Sequence, residues 1–321
     1  MDALKTAPIR VATRRSQLAV TQAQTVADAL AELTGRPAEL VLVTTEGDTT
    51  GGSLVQFGGV GVFVGAVREA ILDGRADVGV HSLKDLPTAE HDELSVVATP
   101  VREDPRDAFC GIDGATLADL PVAATVGTGS PRRASQLRAL RPDLNVIDIR
   151  GNVDTRLARV ASGDLDAVIL AAAGLNRLGR AEAITEYLES AQMLPASGQG
   201  ALAIEAAHSV GQRDPDLHKA LLTLDDFGTH VAVDAERAVL NALEAGCTAP
   251  VGALATVTSE TSETNEERQV HLEAMTAAVD GSQVIRMSIT GNASQADGLG
   301  RELATQLLAA GAANLLGELA Q

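Results

Sequence analysis

The chain has 321 residues, with 25 Lys and Arg against 43 Asp and Glu, and a formal net charge of −18. This acidic balance argues against binding to a nucleic-acid backbone, which needs clustered basic side chains. Aromatic residues make up 2% of the chain, too few to stack the bases of a single strand. At about 100–200 residues per domain, the length predicts two or three domains.

Cysteine usage and hydropathy predict a cytoplasmic protein. The two cysteines, Cys110 and Cys247, cannot form a disulfide scaffold, and no cluster of His and Cys indicates a metal site. Residues 1–9 lack the apolar segment of a secretory signal. The sequence also lacks a run of about 18 apolar residues that could span a membrane.

Strand patterns alternate with helix patterns in the first part of the chain. Ser16 can cap the first helix, because the apolar residues that follow recur every three or four positions along one helical face. Alternation of this kind predicts βαβ units and mostly parallel sheets. The predicted strands cover 9–13, 40–44, 77–81, 94–99, 122–126, 145–149 and 166–171, and the predicted helices cover 16–33 and 66–72 and begin near Pro131 and Val153.

The last part of the chain follows a different pattern, which indicates a separate α+β domain with an antiparallel sheet. Asp280 and Gly281 predict a tight turn that joins two strands as a hairpin. The polar stretch 258–268 predicts a solvated loop. The predicted strands here cover 251–257, 270–279 and 284–289, and the predicted helices cover 231–245 and 296–310.

Arginine accounts for all but three of the 25 basic residues, and it recurs at three predicted strand-to-helix junctions. Free N–H groups and the positive end of the helix dipole attract anions there. At one junction, pairing with surface acids would be the commoner explanation, but three junctions of the same design predict a ligand with several negative charges. The junctions are 12–16 with Arg14, Arg15 and Ser16, 127–133 with Thr128, Ser130, Arg132 and Arg133, and 150–156 with Arg150 and Arg156.

Lys84 and Asp85 follow a predicted buried strand at its carboxyl end. Loop charges at such a position are most often ordinary surface groups. An aspartate among arginines could instead stabilise a developing cation. His81, inside the strand, is predicted to be a hydrogen-bonded core residue rather than a ligand.

The two cysteines occupy different environments. Cys110 lies in an apolar, β-like segment and is predicted to be inert. Cys247 follows a predicted helix and Gly246 in a loop, where a structural and a reactive thiol are equally well supported.

Longer motifs follow one another along the chain. They include HSLKDLP from His81, IRGNVDTRL from Ile149 and EAGC from Glu244, with RVATRRSQLA, REDPRDAF, VGTGSPRRASQL, LPASGQGALAIE and APVGA. On these stretches the chain resembles the porphobilinogen deaminase family from about Ile9 to Leu316. The resemblance implies an α/β fold of two periplasmic-binding-protein-like (type II) lobes and a small α+β C-terminal domain. The implied boundaries are 1–101 with 201–224, then 102–200, then 225–321.

The resemblance further implies a transferase of tetrapyrrole (haem-type porphyrin) biosynthesis, a hydroxymethylbilane synthase. Such an enzyme condenses four porphobilinogen molecules head to tail, releases four ammonia molecules, and frees the linear product by hydrolysis. A dipyrromethane cofactor would be joined to Cys247 by a thioether. The protein would be a monomer whose partners are porphobilinogen and the growing polypyrrole.

Roles of individual residues also come from the resemblance. Asp85 would be catalytic, and arginines would clamp the acetate and propionate groups as bidentate pairs. A non-catalytic, two-lobed anion-binding protein is the alternative, and Asp85 together with Cys247 favours the enzyme. The implied cofactor-binding residues are Cys247, Lys84, Ser130, Arg132, Arg133 and Asp85, and the implied substrate-binding residues are Arg14, Ser16, Thr128, Arg150, Arg156, Arg177, Phe63 and Gln199, with Arg15 as a further clamp.

Overall fold

The computed structural model describes residues 7–44, 64–246, 249–262 and 265–317. Its backbone packs as two compact units. The first combines Met1–Arg102 with Ala201–His230, and the second combines Glu103–Gly200 with Val231–Gln321. The chain therefore leaves the first unit after Arg102, returns to it at Ala201 and leaves it again after His230. The three-domain boundaries implied by the resemblance stay a prediction.

The secondary structure alternates as the sequence predicts. None of the helices within the described ranges is both long and apolar enough to cross a membrane. The strands are β1 (Ile9–Arg14), β2 (Ala38–Val43), β3 (Val78–Ser82), β4 (Leu94–Ala98), β5 (Asp107–Gly111), β6 (Thr125–Gly127), β7 (Asn145–Ile147), β8 (Ala167–Ala171), β9 (Glu186–Leu188), β10 (Leu202–Ala207), β11 (Val251–Ser262), β12 (Asn265–Ala277) and β13 (Val284–Asn292). The helices are α1 (Gln17–Thr34), α2 (Gly65–Leu72), α3 (Pro131–Leu140), α4 (Val153–Ala161), α5 (Ala172–Arg177), α6 (Val210–Arg213), α7 (Pro215–Leu224), α8 (Phe227–Ala242), α9 (Ala296–Ala309) and α10 (Ala312–Gly317).

The first unit is built on a five-stranded sheet with the order β2-β1-β3-β10-β4. β1 is parallel to β2 and β3, whereas β10 is antiparallel to both of its neighbours. Four of the five strands therefore point the same way. Helix α1 packs on this sheet through a face that includes Val26 and Leu30. It begins at Ser16, whose hydroxyl accepts a hydrogen bond from Ala19 N, as the capping pattern predicts.

The second unit repeats this design in a sheet with the order β7-β6-β8-β5-β9. β5, the fourth strand, is antiparallel to both neighbours, as β10 is in the first sheet. β5 is the first strand after the chain enters the second unit, and β10 is the first strand after the chain returns to the first unit. Phe109 and Ile169 lie in the core on one side of the sheet. The shared order confirms the prediction of two mostly parallel α/β lobes.

The small C-terminal domain is also confirmed. β11, β12 and β13 form an antiparallel sheet in that order, and Val239, Leu272 and Leu303 lie in the core between this sheet and helices α8 and α9. The predicted turn between β12 and β13 is present. Gly281 has φ +78° there, a left-handed conformation that favours glycine.

The prediction of a solvated loop over 258–268 is wrong. β11 continues to Ser262 and β12 begins at Asn265, and the two strands stay in register up to this pair. The error arose because the prediction relied on apolar residues. A strand pair is joined by backbone hydrogen bonds, which polar residues form as well as apolar ones, and threonine is favoured in strands.

Helix α8 begins at Phe227, four residues before its predicted start. Asp226 determines this start, since its carboxylate accepts hydrogen bonds from the N–H and the hydroxyl of Thr229 at 2.7 and 2.6 Å. Gly228 in the first turn obscures the helical pattern in the sequence, because glycine is a weak helix former.

The close packing of α9 on α8 gives a test of the C-terminal domain. Replacing Gly300 by Ala is expected to lower the free energy of unfolding by about 1–3 kcal/mol, because the new Cβ would lie 2.6 Å from Cβ of Ala238. Gly298→Ala is the matched control in the same helix. No described atom outside its own helix turn lies within 4 Å of its new Cβ, so helix propensity should raise the stability by about 0.5–1 kcal/mol. Urea unfolding followed by circular dichroism measures both, and equal effects would contradict the packing.

Candidate functional site

A buried carboxylate organises the arginines of the second lobe. Asp107, at the start of β5, is fully buried. Its Oδ2 lies 2.7 Å from Nη1 of Arg132, and its Oδ1 accepts a hydrogen bond of 2.9 Å from Nε of Arg133. Burial alone would raise the pKa of Asp107, but the two guanidinium groups outweigh it and hold the pKa well below its usual range.

Further hydrogen bonds lock this cluster to neighbouring segments. Gln199 Nε2 donates to Asp107 Oδ1 at 2.8 Å and to Pro105 O at 2.7 Å. Arg132 also donates to Leu194 O, while its buried Nε has no hydrogen-bond partner among the described residues. The structure therefore brings Arg132, Arg133 and Gln199 together, inside the lobe rather than on its surface.

The turn before α3 positions two predicted hydroxyls. Ser130 caps α3 by accepting from Arg133 N, and Thr128 Oγ1 accepts from Ser130 N at 3.3 Å. Both hydroxyls act as acceptors here, so each keeps its proton for donation to a ligand. Gly129 is required between them, because a Cβ there would lie 2.6 Å from Ile149 O.

The third junction concentrates positive charge. Arg156, in α4, is half-buried and donates from Nε to Gly151 O at 2.8 Å. Burial lowers its pKa most, and the nearby charges of Arg133 and Arg150 lower it further. Arg150 keeps 41% of its side chain exposed, with Asp148 at 3.4 Å. Like charges held this close favour the binding of an anion.

Arg177 belongs to the same lobe but to a different segment. It ends α5 and donates from Nη2 to Gly200 O at 2.7 Å. Burial lowers its pKa, and Glu103 partly offsets that effect. The side chain is half-buried, so it combines a fixed position with access to a ligand.

The first lobe holds the remaining described residues of the predicted site. Arg14 ends β1 and is half-buried, and Arg15 donates from Nε to Thr44 Oγ1 at 3.0 Å. Lys84 and Asp85 lie in a single 3-10 turn that follows β3. Asp85 is exposed, and its carboxylate makes no hydrogen bond to another described residue. It is therefore free to meet a ligand.

A second buried acid fixes the strand that leads to this turn. Glu205 on β10 accepts from Nη2 of Arg68 at 2.8 Å and lies 3.0 Å from Nε2 of His81. Burial would raise the pKa of Glu205, but its contacts with His81 and Arg68 lower it to about 2. His81 is buried, which confirms the prediction of a core histidine.

The burial of Asp107 and Glu205 was not predicted from the sequence. The signal that could have revealed them is an acidic residue inside an otherwise apolar strand, as in the segments DAFCG and LAIEAA. Charged groups at such positions are rarely buried unless they are paired.

The two cysteines differ in what the structure describes. Cys110 lies in β5 and is 3% exposed, and burial raises the pKa of its thiol to about 12. Its place in the core is confirmed, and the raised pKa disfavours the thiolate, which is the reactive form. Cys247 and Phe63 lie outside the described residues.

Comparison with known families matches almost the whole chain. Residues 9–213 match the model described as "Porphobilinogen deaminase, dipyromethane cofactor binding domain", and residues 230–309 match "Porphobilinogen deaminase, C-terminal domain". The chain belongs to the porphobilinogen deaminase family. The first description also confirms the predicted dipyrromethane cofactor.

Named relatives agree with this family. "Porphobilinogen deaminase 1" of Streptomyces coelicolor is 51% identical, and the match covers 98% of each chain. "Porphobilinogen deaminase" of Nocardia farcinica is 52% identical over 98% of this chain and 89% of the relative. Among solved structures, a periplasmic substrate-binding protein of an ABC transporter from Coxiella burnetii matches with a TM-score of 0.43 and 11% identity, covering 67% of this chain and 91% of that one.

The donor set of the second lobe fits the cofactor of this family. A dipyrromethane carries carboxylates on both pyrrole rings, and arginine binds carboxylates through paired N–H donors. Arg150 and Arg156 supply positive charge beside Asp148, and Arg132 has a buried Nε without a partner among the described residues. Porphobilinogen deaminase chemistry needs such positively charged N–H donors, because its pyrroles carry carboxylates.

The pKa of Glu205 predicts how acid affects the first lobe. Because its folded value of about 2 is below the ordinary 4.5, its ionised form stabilises the fold above the ordinary value. That contribution, on the order of 3 kcal/mol, is lost as pH falls from 4.5 towards 2. Glu205→Gln should therefore have a lower thermal midpoint than the parent at neutral pH. As the pH falls, the midpoint of the variant should decrease less steeply than that of the parent.

The control for this experiment is Asp73→Asn. Asp73 pairs with Arg75 on the surface of the same lobe, and both side chains are more than half exposed. The thermal midpoint of this variant should follow that of the parent at every pH. If the thermal midpoint of Glu205→Gln decreased as steeply in acid as that of the parent, Glu205 would not titrate as described.

Proposed function

We propose that this chain is a hydroxymethylbilane synthase, a transferase that joins four porphobilinogen molecules head to tail with loss of ammonia. The observation that carries the proposal is the group of arginines at the start of α4, where Arg156 is fixed on Gly151 O at 2.8 Å and Arg150 keeps 41% of its side chain exposed. In a chain with a net charge of −18, such a cluster of positive side chains indicates an anion-binding site. Each porphobilinogen brings an acetate and a propionate, which this group can bind.

The arginines and hydroxyls have binding roles in this proposal. In the second lobe, exposed or half-buried side chains bind the carboxylates of the growing chain, while the buried pair beside Asp107 offers the donors that Asp107 leaves free. In the first lobe, Arg14, Arg15 and Ser16 bind carboxylates at the end of β1. The substrate-binding residues of the second lobe are Thr128, Arg150, Arg156, Arg177 and Gln199, and its cofactor-binding residues are Ser130, Arg132 and Arg133.

Asp85 is the proposed catalytic residue. When the carbon–nitrogen bond of porphobilinogen breaks, the amine leaves as ammonia and the pyrrole that remains is positively charged. An ionised carboxylate beside the ring stabilises that charge, and it can accept the proton lost when the next ring is joined. The exposed, unpaired carboxylate of Asp85 among the described residues supports this role, and Lys84 in the same turn offers a cation for a cofactor carboxylate.

Cys247 is the proposed attachment site of the cofactor. The sequence has two cysteines, and the raised thiol pKa of Cys110 makes that residue a poor nucleophile. When bound, the dipyrromethane supplies the pyrrole end to which the first substrate is joined. Phe63 remains the aromatic residue proposed to contact substrate, and a monomeric state and a cytoplasmic location remain predictions.

The mass of the purified protein tests the proposal most directly. From cells that make porphobilinogen, the intact mass should exceed the sequence mass by two porphobilinogen-derived units, because the thioether survives denaturation. Cys247→Ser should lose this addition, and the matched variant Cys110→Ser should keep it. An addition that disappears with Cys110 and persists without Cys247 would refute the assignment.

The role of Asp85 is tested by Asp85→Asn. Consumption of porphobilinogen should slow by about 10²- to 10⁴-fold, with the thermal midpoint unchanged because the side chain is exposed. Asp92→Asn, another exposed acid of the same lobe, should keep the parent rate. A near-parent rate in Asp85→Asn would exclude the carboxylate from the reaction, and binding of porphobilinogen without release of ammonia by the parent would favour the non-catalytic alternative.

A further inference from the structure

A cavity of about 370 Å³ lies in the first lobe, away from the residues of the proposed function. It is lined by residues that precede strands: Pro8 before β1, Arg36 before β2 and Asp77 before β3. Arg14, Lys84 and Asp85 lie at or after the opposite ends of β1 and β3. Since a strand rises about 3.3 Å per residue, Arg10 of the cavity and Arg14 at the far end of β1 are about 13 Å apart along the chain.

The floor of the cavity is apolar. Ile71, Val210 and Leu217 line it and are themselves buried, and Pro8 and Ala207 extend the same surface. Its volume lies within the range of about 300–1,000 Å³ that is common for small-molecule sites. Such a floor suits a ligand with an apolar body.

The charges around the cavity are not balanced. Arg10 is paired with Asp77 through two N–H···O bonds, and buried Arg36 donates to Asp214 at 2.6 Å. Both acids are thereby satisfied, because Asp77 also accepts from Arg10 N and Asp214 also caps Leu217 N at 3.0 Å. These pairs explain two arginines as structural links: Arg10 joins β1 to the residue before β3, and Arg36 joins the residues before β2 to the cap of α7.

Arg213 is the cation that these links do not explain. It lines the cavity and is exposed, and its guanidinium makes no hydrogen bond or ion pair with another described residue. Arg36 also keeps Nη2 without a hydrogen bond to the described chain, although its side chain is only 5% exposed. The cavity therefore presents guanidinium N–H donors without a partner among the described residues, above an apolar floor. Its lining has three arginines and two aspartates, which gives a net charge of +1.

We infer that this cavity of the first lobe binds a small carboxylic acid that carries an apolar body, through its carboxylate to Arg213 and Arg36. The guanidinium fork matches a planar carboxylate, and Ile71, Val210 and Leu217 cover the apolar part. The site is separate from the porphobilinogen-binding residues and does not depend on the proposed function.

Titration of the holoprotein with para-fluorobenzoate, followed by ligand-observed fluorine NMR, tests the site. Binding should be saturable and should weaken at least about tenfold in Arg213→Gln, the loss of one charge-assisted contact. Arg75→Gln removes an exposed arginine of the same lobe outside the cavity and should leave the affinity unchanged. Arg150→Gln should also leave it unchanged.

Four outcomes would overturn the inference. They are the absence of saturable binding, an affinity that Arg213→Gln leaves intact, binding lost in Arg150→Gln, and displacement by inorganic phosphate at the same concentration as by unlabelled benzoate. The third would place the probe at the residues proposed for porphobilinogen, and the fourth would show that the apolar body contributes nothing.

Discussion

The carboxylate of Asp107 is the constraint on which the second lobe depends. Removing a charge from water costs several kcal/mol per ion, and Asp107 is fully buried. Arg132, Arg133 and Gln199 offset that cost together. Because the two arginines belong to the first turn of α3, the same contacts hold the helix start, and with it Ser130, at one place against β5. Breaking such a cluster by removing one partner costs about 3–5 kcal/mol.

The first lobe also has a buried carboxylate paired with arginine on the equivalent strand. Glu205 lies on β10 and Asp107 lies on β5, and each strand is the antiparallel fourth member of its sheet. Each acid takes an arginine from a helix, Arg68 from α2 and Arg132 and Arg133 from α3. The internal acids thereby anchor some arginines, whereas others at the strand ends keep donors for anionic ligands. A strongly acidic chain can in this way hold a locally cationic surface.

Local patterns predicted the helix starts well, because capping is decided within a few residues. Ser16, Ser130 and Asn152 each cap the helix that follows them. Predictions failed where local apolarity was a poor guide. The stretch 258–268 is polar, yet it pairs as strand because its backbone partners lie directly across a hairpin. The start of α8 was missed because Asp226 caps a first turn that contains glycine.

The sequence by itself determined the family, the two-lobed α/β design with its small third domain, and the concentration of arginine at strand ends. Motif order, periodicity and capping all act over short distances and can be recognised in one dimension. Only the tertiary structure decided which arginines are buried and which are available. Arg68 and Glu205 are 137 residues apart, and Arg133 and Asp107 are 26 apart. Those pairs meet because the strand order places β10 beside β3 and β5 beside β8. A buried carboxylate is costly unless it is paired, so the free energy of burial, rather than a local pattern, selects these contacts.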